Sequence, residues 1–187
     1  MKTQSLLAIT ATLALSAFAL AQDLGKPTSS TPYDRYLGPM RTTMSSLGTN
    51  HPPMDLVEQY VRTGRGFRYY MKNPYVPQTP AETEASRAGD CKAKSLWVAS
   101  KMDDRSLRFF VGRARAESGM LHAWLLWKDT SGWWILDATK FSAPLDLDRL
   151  GPQEFISFYS YSAKGEFVHS GASARKRRPE TKYGDHT

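Results

Sequence analysis

Between Met54 and Gly64 the apolar residues Leu56, Val57, Tyr60 and Val61 recur at helical spacing, and Gly64 supplies a stop. Phe67 to Met71 reads as a short extended piece. Thr79-Pro80-Ala81-Glu82 has the form of a capping box with proline at the first helical position, which predicts a short helix ending before Gly89. Ala93, Leu96, Trp97 and Ser100 then carry helical spacing to about Met102. From there the period falls from 3.6 to 2. Leu107 to Ala116 starts apolar and then alternates, and 120–128 and 132–138 read as two further strands joined through the turn-rich Lys128 to Gly132. With connections this short the three strands form an antiparallel meander. Alternation puts His122, Trp124 and Leu126 on one face and Leu121, Ala123, Leu125 and Trp127 on the other; the adjacent Trp133 and Trp134 must also diverge. Beyond Asp137 the pattern weakens to a helical turn over 145–150, a strand over 155–161 and, after Lys164-Gly165, an edge strand returning over 166–169.

The two ends of the chain follow other rules. Lys2 precedes an apolar run from Leu6 to Leu20, and Ala19-Leu20-Ala21 offers small residues for cleavage, so residues 1–21 read as a signal peptide. The run is too short, and too interrupted by Thr10, Thr12 and Ser16, for a membrane span. Residues 22–53, rich in Ser, Thr, Pro and Gly, read as a flexible N-terminal arm. Residues 54–170 read as the folded domain, and 171–187 as a basic disordered tail carrying Arg175, Lys176, Arg177, Arg178 and Lys182. That tail holds much of the formal charge of +7, so the body is only mildly basic. No basic stripe interleaved with aromatics runs through the body, which argues against a nucleic-acid partner. At 187 residues with 41% hydrophobic content, the chain has enough material for one well-formed core.

Cys91 is the sole cysteine. Exported proteins usually pair their cysteines, so an unpaired one points to a reactive thiol or an intermolecular bridge. Gly89 and Asp90 supply a turn and an N-cap, placing the sulfur in the first turn of the following helix. Unpaired backbone N–H groups and the helix dipole favour a thiolate there, and Lys92 and Lys94 act in the same sense. His122 and Asp137 stand at almost equal distances from a hairpin folded near Thr130, so the turn brings them together. A carboxylate beside an imidazole fixes its tautomer and supports the imidazolium. Cys91, His122 and Asp137 are thus the candidate nucleophile, base and orienter. His169 is the only rival base, demoted because no carboxylate lies at comparable hairpin spacing. His51 and His186 read as bystanders.

Gly89-Asp90-Cys91, His122-Ala123-Trp124 and Leu136-Asp137-Ala138-Thr139 resemble, in order, the three motifs of the transglutaminase-like cysteine peptidase superfamily. Thr79-Pro80-Ala81-Glu82-Thr83 is similar to the segment preceding the nucleophile in its bacterial members, and the whole resemblance spans residues 67–139. It implies an α+β fold with a papain/transglutaminase-like core, in which the nucleophile helix packs on an antiparallel sheet. It also implies Cys91 as nucleophile, His122 as base and Asp137 as orienter. Many bacterial members carry acidic residues just after the cysteine; Lys92 and Ala93 stand here, so no calcium site, and no other metal or cofactor, is expected.

The function expected is that of an exported thiol hydrolase, periplasmic or secreted, cleaving an amide or peptide bond of a protein or peptide substrate, with the cell envelope as one source. The alternatives are a protein-glutamine acyltransferase that cross-links proteins and a catalytically silent module binding peptide or glycan through its tryptophans. The Cys91 backbone N–H is the first oxyanion donor, and Gln78 and Ser86 are candidates for the second. Arg87, Lys92 and Lys94 make the nucleophile end positive, which would suit an acidic peptide or a carboxylate-bearing wall fragment.

Overall fold

A computed structural model describes residues 25–151 and 153–176. In chain order these form strand β1 (Lys26–Thr28), helix α1 (Gly38–Ser46), helix α2 (Met54–Gly66) and strand β2 (Arg68–Tyr69). Helix α3 (Pro80–Ser86), strand β3 (Ala88–Gly89) and helix α4 (Cys91–Met102) follow. The chain then runs through β4 (Arg108–Arg115), β5 (His122–Lys128), β6 (Trp133–Leu136) and β7 (Leu145–Asp146). It closes with β8 (Glu154–Ser162), β9 (Gly165–Val168) and helix α5 (Ser170–Lys176). Seven strands make one antiparallel sheet in the order β1-β9-β8-β4-β5-β6-β7, while β2 and β3 form a separate parallel pair.

Strict alternation divides the core in two. Phe109 and Val111 of β4 and Ala123, Leu125 and Trp127 of β5 join a large cluster with Leu96, Trp97 and Met102 of α4. Phe110, Ala114, Trp124 and Leu126 point to the opposite face and meet Ile135 and Phe155. Trp134 packs on the first cluster and Trp133 on the second, so the two neighbouring indoles diverge as the pleat requires. A register shift between Val111 and Gly112 bends β4 against β8. Gly112 lies opposite His122, and a Cβ there would stand 2.0 Å from the Ile156 carbonyl oxygen. Only glycine allows so close an approach.

Residues 25–53 differ from the flexible arm read in the sequence. Lys26–Thr28 pairs with β9, and Leu37, Met40 and Met44 are buried in the main cluster against α4. Thr31 further anchors this segment through a 2.8 Å hydrogen bond with the buried Tyr161 hydroxyl. The physical cause is burial of three large apolar side chains, which outweighs the segment's turn-rich composition. Likewise the expected disordered tail begins with a helix: α5 occupies Ser170–Lys176. The expected signal peptide (1–21) and residues 177–187 of the tail lie outside the described residues.

On the α4 side of the sheet the buried Asp104 collects hydrogen bonds from Trp127 Nε1 (2.8 Å) and the Ser106 N–H (2.8 Å), and pairs with His51 Nδ1 (2.7 Å). His51 is thus a structural partner of a buried carboxylate. Among the described residues no helix is long and apolar enough to cross a membrane.

Candidate active site

The turn into α4 is built from α3 onward. Thr79 and Glu82 form the reciprocal capping box, and α3 ends with Arg87 in the left-handed region at φ 50°. β3 then presents Gly89, where a Cβ would lie 2.7 Å from that of Ala93, so a side chain there would push α4 away. Asp90 caps the helix by accepting from the Ala93 N–H at 2.9 Å. Cys91 is the first residue of α4 and is 5% exposed. Its backbone N–H lies in the first turn, where helices have no internal acceptor.

The sheet supplies the other two groups. His122 opens β5, and Ser95 of α4 bonds the carbonyl of the next residue, Ala123 (3.4 Å), holding the helix on this strand. Asp137 lies just past β6 and is fully buried. Its Oδ2 pairs with His122 Nε2 at 2.7 Å, and its Oδ1 accepts from the Thr139 and Lys140 N–H groups at 3.0 and 3.2 Å. With Nε2 committed to Asp137, Nδ1 is the ring nitrogen left for Cys91, which lines the same cavity. Burial opposes a charged imidazole here, but the bonds and charges of Asp137 and Cys91 outweigh it and push His122 up from 6.5 to about 9. The surroundings of His122 thus favour its imidazolium form. Its ring stacks at 6.2 Å on that of Trp124, which fixes its plane from the side.

Of the three cations expected to form a positive rim, Lys94 is buried and Lys92 is paired, while Arg87 stays exposed. Lys94 is 1% exposed and donates to the Phe67 carbonyl at 2.6 Å; burial, then Arg65, lowers its pKa. Arg87 lies over the Phe67 ring at 4.6 Å. Lys92 pairs with Asp90 at 2.6 Å and covers the Tyr75 ring at 4.7 Å. Although burial opposes it, the charges of Cys91 and Asp90 raise the Lys92 pKa.

Cys91 and His122 share one open cavity of about 320 Å³. Part of its wall was not legible as site: Tyr33, Tyr36 and Leu37 from the N-terminal segment, and Met71 and Tyr75 from the stretch between β2 and α3. A signal existed, since Tyr33, Leu37, Met40 and Met44 recur at intervals of three and four. Neither expected second oxyanion donor lines this cavity. Gln78 Nε2 donates to the Ala88 carbonyl (3.4 Å) and Ser86 Oγ to the Glu82 carbonyl (2.7 Å). His169 is buried elsewhere, with Nε2 on Ser160 Oγ at 2.8 Å.

No family model matches the chain, and no curated protein matches it by sequence. Solved structures do. Calcium-bound LapG of Legionella pneumophila superposes with a TM-score of 0.50 at 22% identity, over 76% of this chain and 80% of that one. A second LapG structure gives 0.49 at 19% identity, over 67% of this chain and 74% of that one. A candidate cysteine protease from Cytophaga hutchinsonii gives 0.41 at 18%, over 65% and 44%. The fold is therefore shared with calcium-bound LapG: α+β, with helix α4 packed on a large antiparallel sheet. Here the residue after Cys91 is a lysine paired with Asp90, and no group of three His, Cys, Asp or Glu side chains converges among the described residues.

Proposed function

We propose that the protein is an exported thiol hydrolase that cleaves an amide or peptide bond through Cys91, His122 and Asp137. The observation that supports this reading is a buried Asp137–His122 pair at 2.7 Å whose imidazole lines the same open cavity as a helix-N-terminal cysteine. The Cys91 sulfur attacks the scissile carbonyl carbon, and the oxyanion forms against the Cys91 backbone N–H. His122 passes its proton to the departing amine as the C–N bond breaks, leaving a thioester. Water then attacks the thioester while His122 takes its proton; the C–S bond breaks and a carboxylic acid leaves. Asp137 keeps the proton-exchanging nitrogen facing sulfur throughout. Export is supported by the apolar Leu6 to Leu20 run with small residues behind it.

Incubation with denatured casein, read by mass spectrometry, tests the reaction. New carboxyl termini are expected with wild type and not with Cys91→Ala or His122→Ala. Absence of Cys91-dependent cleavage would count against the hydrolase. The cross-linking alternative predicts a dominant amine adduct when a glutamine peptide and a primary amine are supplied; that product would make the protein an acyltransferase.

A further inference from the structure

We infer that the cavity beside Cys91 is a specificity pocket for a large apolar side chain, aromatic or long aliphatic, flanking the scissile bond of a peptide substrate. This rests on Cys91 being the nucleophile. Any bond that sulfur attacks must lie in the cavity it opens into, so the occupant is substrate rather than a docking partner. The walls come from separate parts of the chain: Tyr33 and Tyr36 from the N-terminal segment, Met71 and Tyr75 from the stretch before α3, Val111 from β4 and Leu121 preceding β5. Tyr36 and Tyr75 meet edge to face at 5.7 Å, which braces two of these pieces against each other.

Charge and size both select. No carboxylate lines the cavity, and Lys92, its one lysine, is held by Asp90 at 2.6 Å and lies over Tyr75. An acidic side chain entering would lose water and find no free cation; a basic one would find no anion. An apolar one would cover Met71 and Leu121, which are 58% and 43% exposed without it. A volume of about 320 Å³ suits one large side chain with its adjoining backbone. Burying such a group is expected to favour it over glycine on the order of tenfold to a hundredfold.

N-acetyl-dipeptidyl chloromethyl ketones test this without a known substrate. The Cys91 thiolate displaces chloride to form a thioether, and the rate reads how well the flanking side chains fit. Either residue is varied among Phe, Leu, Gly, Asp and Lys, and each rate is divided by the same protein's iodoacetamide rate. The pocket predicts that at one of the two positions Phe or Leu labels at least tenfold faster than Gly, Asp or Lys. Met71→Arg, at an exposed position on the wall, should cut the Phe-to-Asp ratio at least tenfold, and Tyr36→Ala should lower the Phe-to-Gly ratio. Rates within threefold across the series, or Asp fastest, would overturn the pocket while leaving the nucleophile intact. If labelling by iodoacetamide and by every peptidyl reagent were as fast in His122→Ala as in wild type, the nucleophile reading would fall and this inference with it.

Discussion

Replacing Asp137 with asparagine isolates what the carboxylate does for His122. The wild-type ring is pushed up from 6.5 to about 9. With about 1.4 kcal/mol for each tenfold change in the proton equilibrium, its partners favour the imidazolium by about 3 kcal/mol net of the burial that opposes it. Burial is the largest single influence, and the hydrogen bond and charge of Asp137 each outrank those of Cys91. Asp137 supplies the first-ranked favourable contact, so its loss should remove a substantial part of that, on the order of 2 kcal/mol. The variant keeps an acceptor for the Thr139 and Lys140 N–H groups, so local backbone geometry survives. Its amide N–H would donate to Nε2, leaving the proton of the neutral ring on Nδ1, where it cannot accept from Cys91. Turnover should fall on the order of a thousandfold or more.

Ring-proton NMR should show His122 titrating near 9 in wild type and falling toward 6.5 in Asp137→Asn. Because the folded value lies above the unfolded one, the stabilisation is fully present below about 6.5 and is lost as pH rises through about 9. Urea unfolding at pH 6 and pH 10 should then show wild type losing about 2 kcal/mol more than the variant over that range. Equal losses, together with a wild-type ring titrating near 6.5, would refute the reasoning.

Three further outcomes follow from contacts away from the sulfur. Gly112→Ala should lower the denaturant midpoint by about 1–3 kcal/mol of stability, since the new Cβ meets the Ile156 carbonyl at 2.0 Å on a strand that cannot yield. Asp104→Ala should cost about 1–3 kcal/mol by orphaning the buried Trp127 indole N–H, with Cys91 alkylation proceeding as before. Adding a chelator such as EGTA should leave activity unchanged, because Lys92 and Asp90 already neutralise each other beside the nucleophile; loss of activity restored by calcium alone would contradict the reading of the donors.

The central part of the fold was legible because its signals are local. The Thr79 and Glu82 box, the Asp90 cap and the period-2 run of β5 each declare an element within a few residues. The Asp137–His122 bond followed from hairpin symmetry about Thr130. The N-terminal segment was misread because Lys26-Pro27-Thr28 is a polar edge strand, stabilised only by pairing with a strand 140 positions later in the chain. Its apolar residues were spaced helically but diluted among Ser and Thr. Charge was misread for a related reason: sequence counts Arg87, Lys92 and Lys94 as positive but cannot say that a ring, a carboxylate and a carbonyl already hold them. Of these only Lys92 lines the cleft, and its pairing with Asp90 leaves the apolar walls to set its character.

Alkylation of Cys91 by iodoacetamide at pH 6.5, followed by intact mass in wild type, His122→Ala and His169→Ala, tests most directly whether the three residues act as one unit. Wild type and His169→Ala should label at similar rates, and His122→Ala at least tenfold more slowly, because the base that activates the Cys91 sulfur is gone. Unchanged labelling in His122→Ala, or its loss in His169→Ala instead, would contradict the assignment of nucleophile and base.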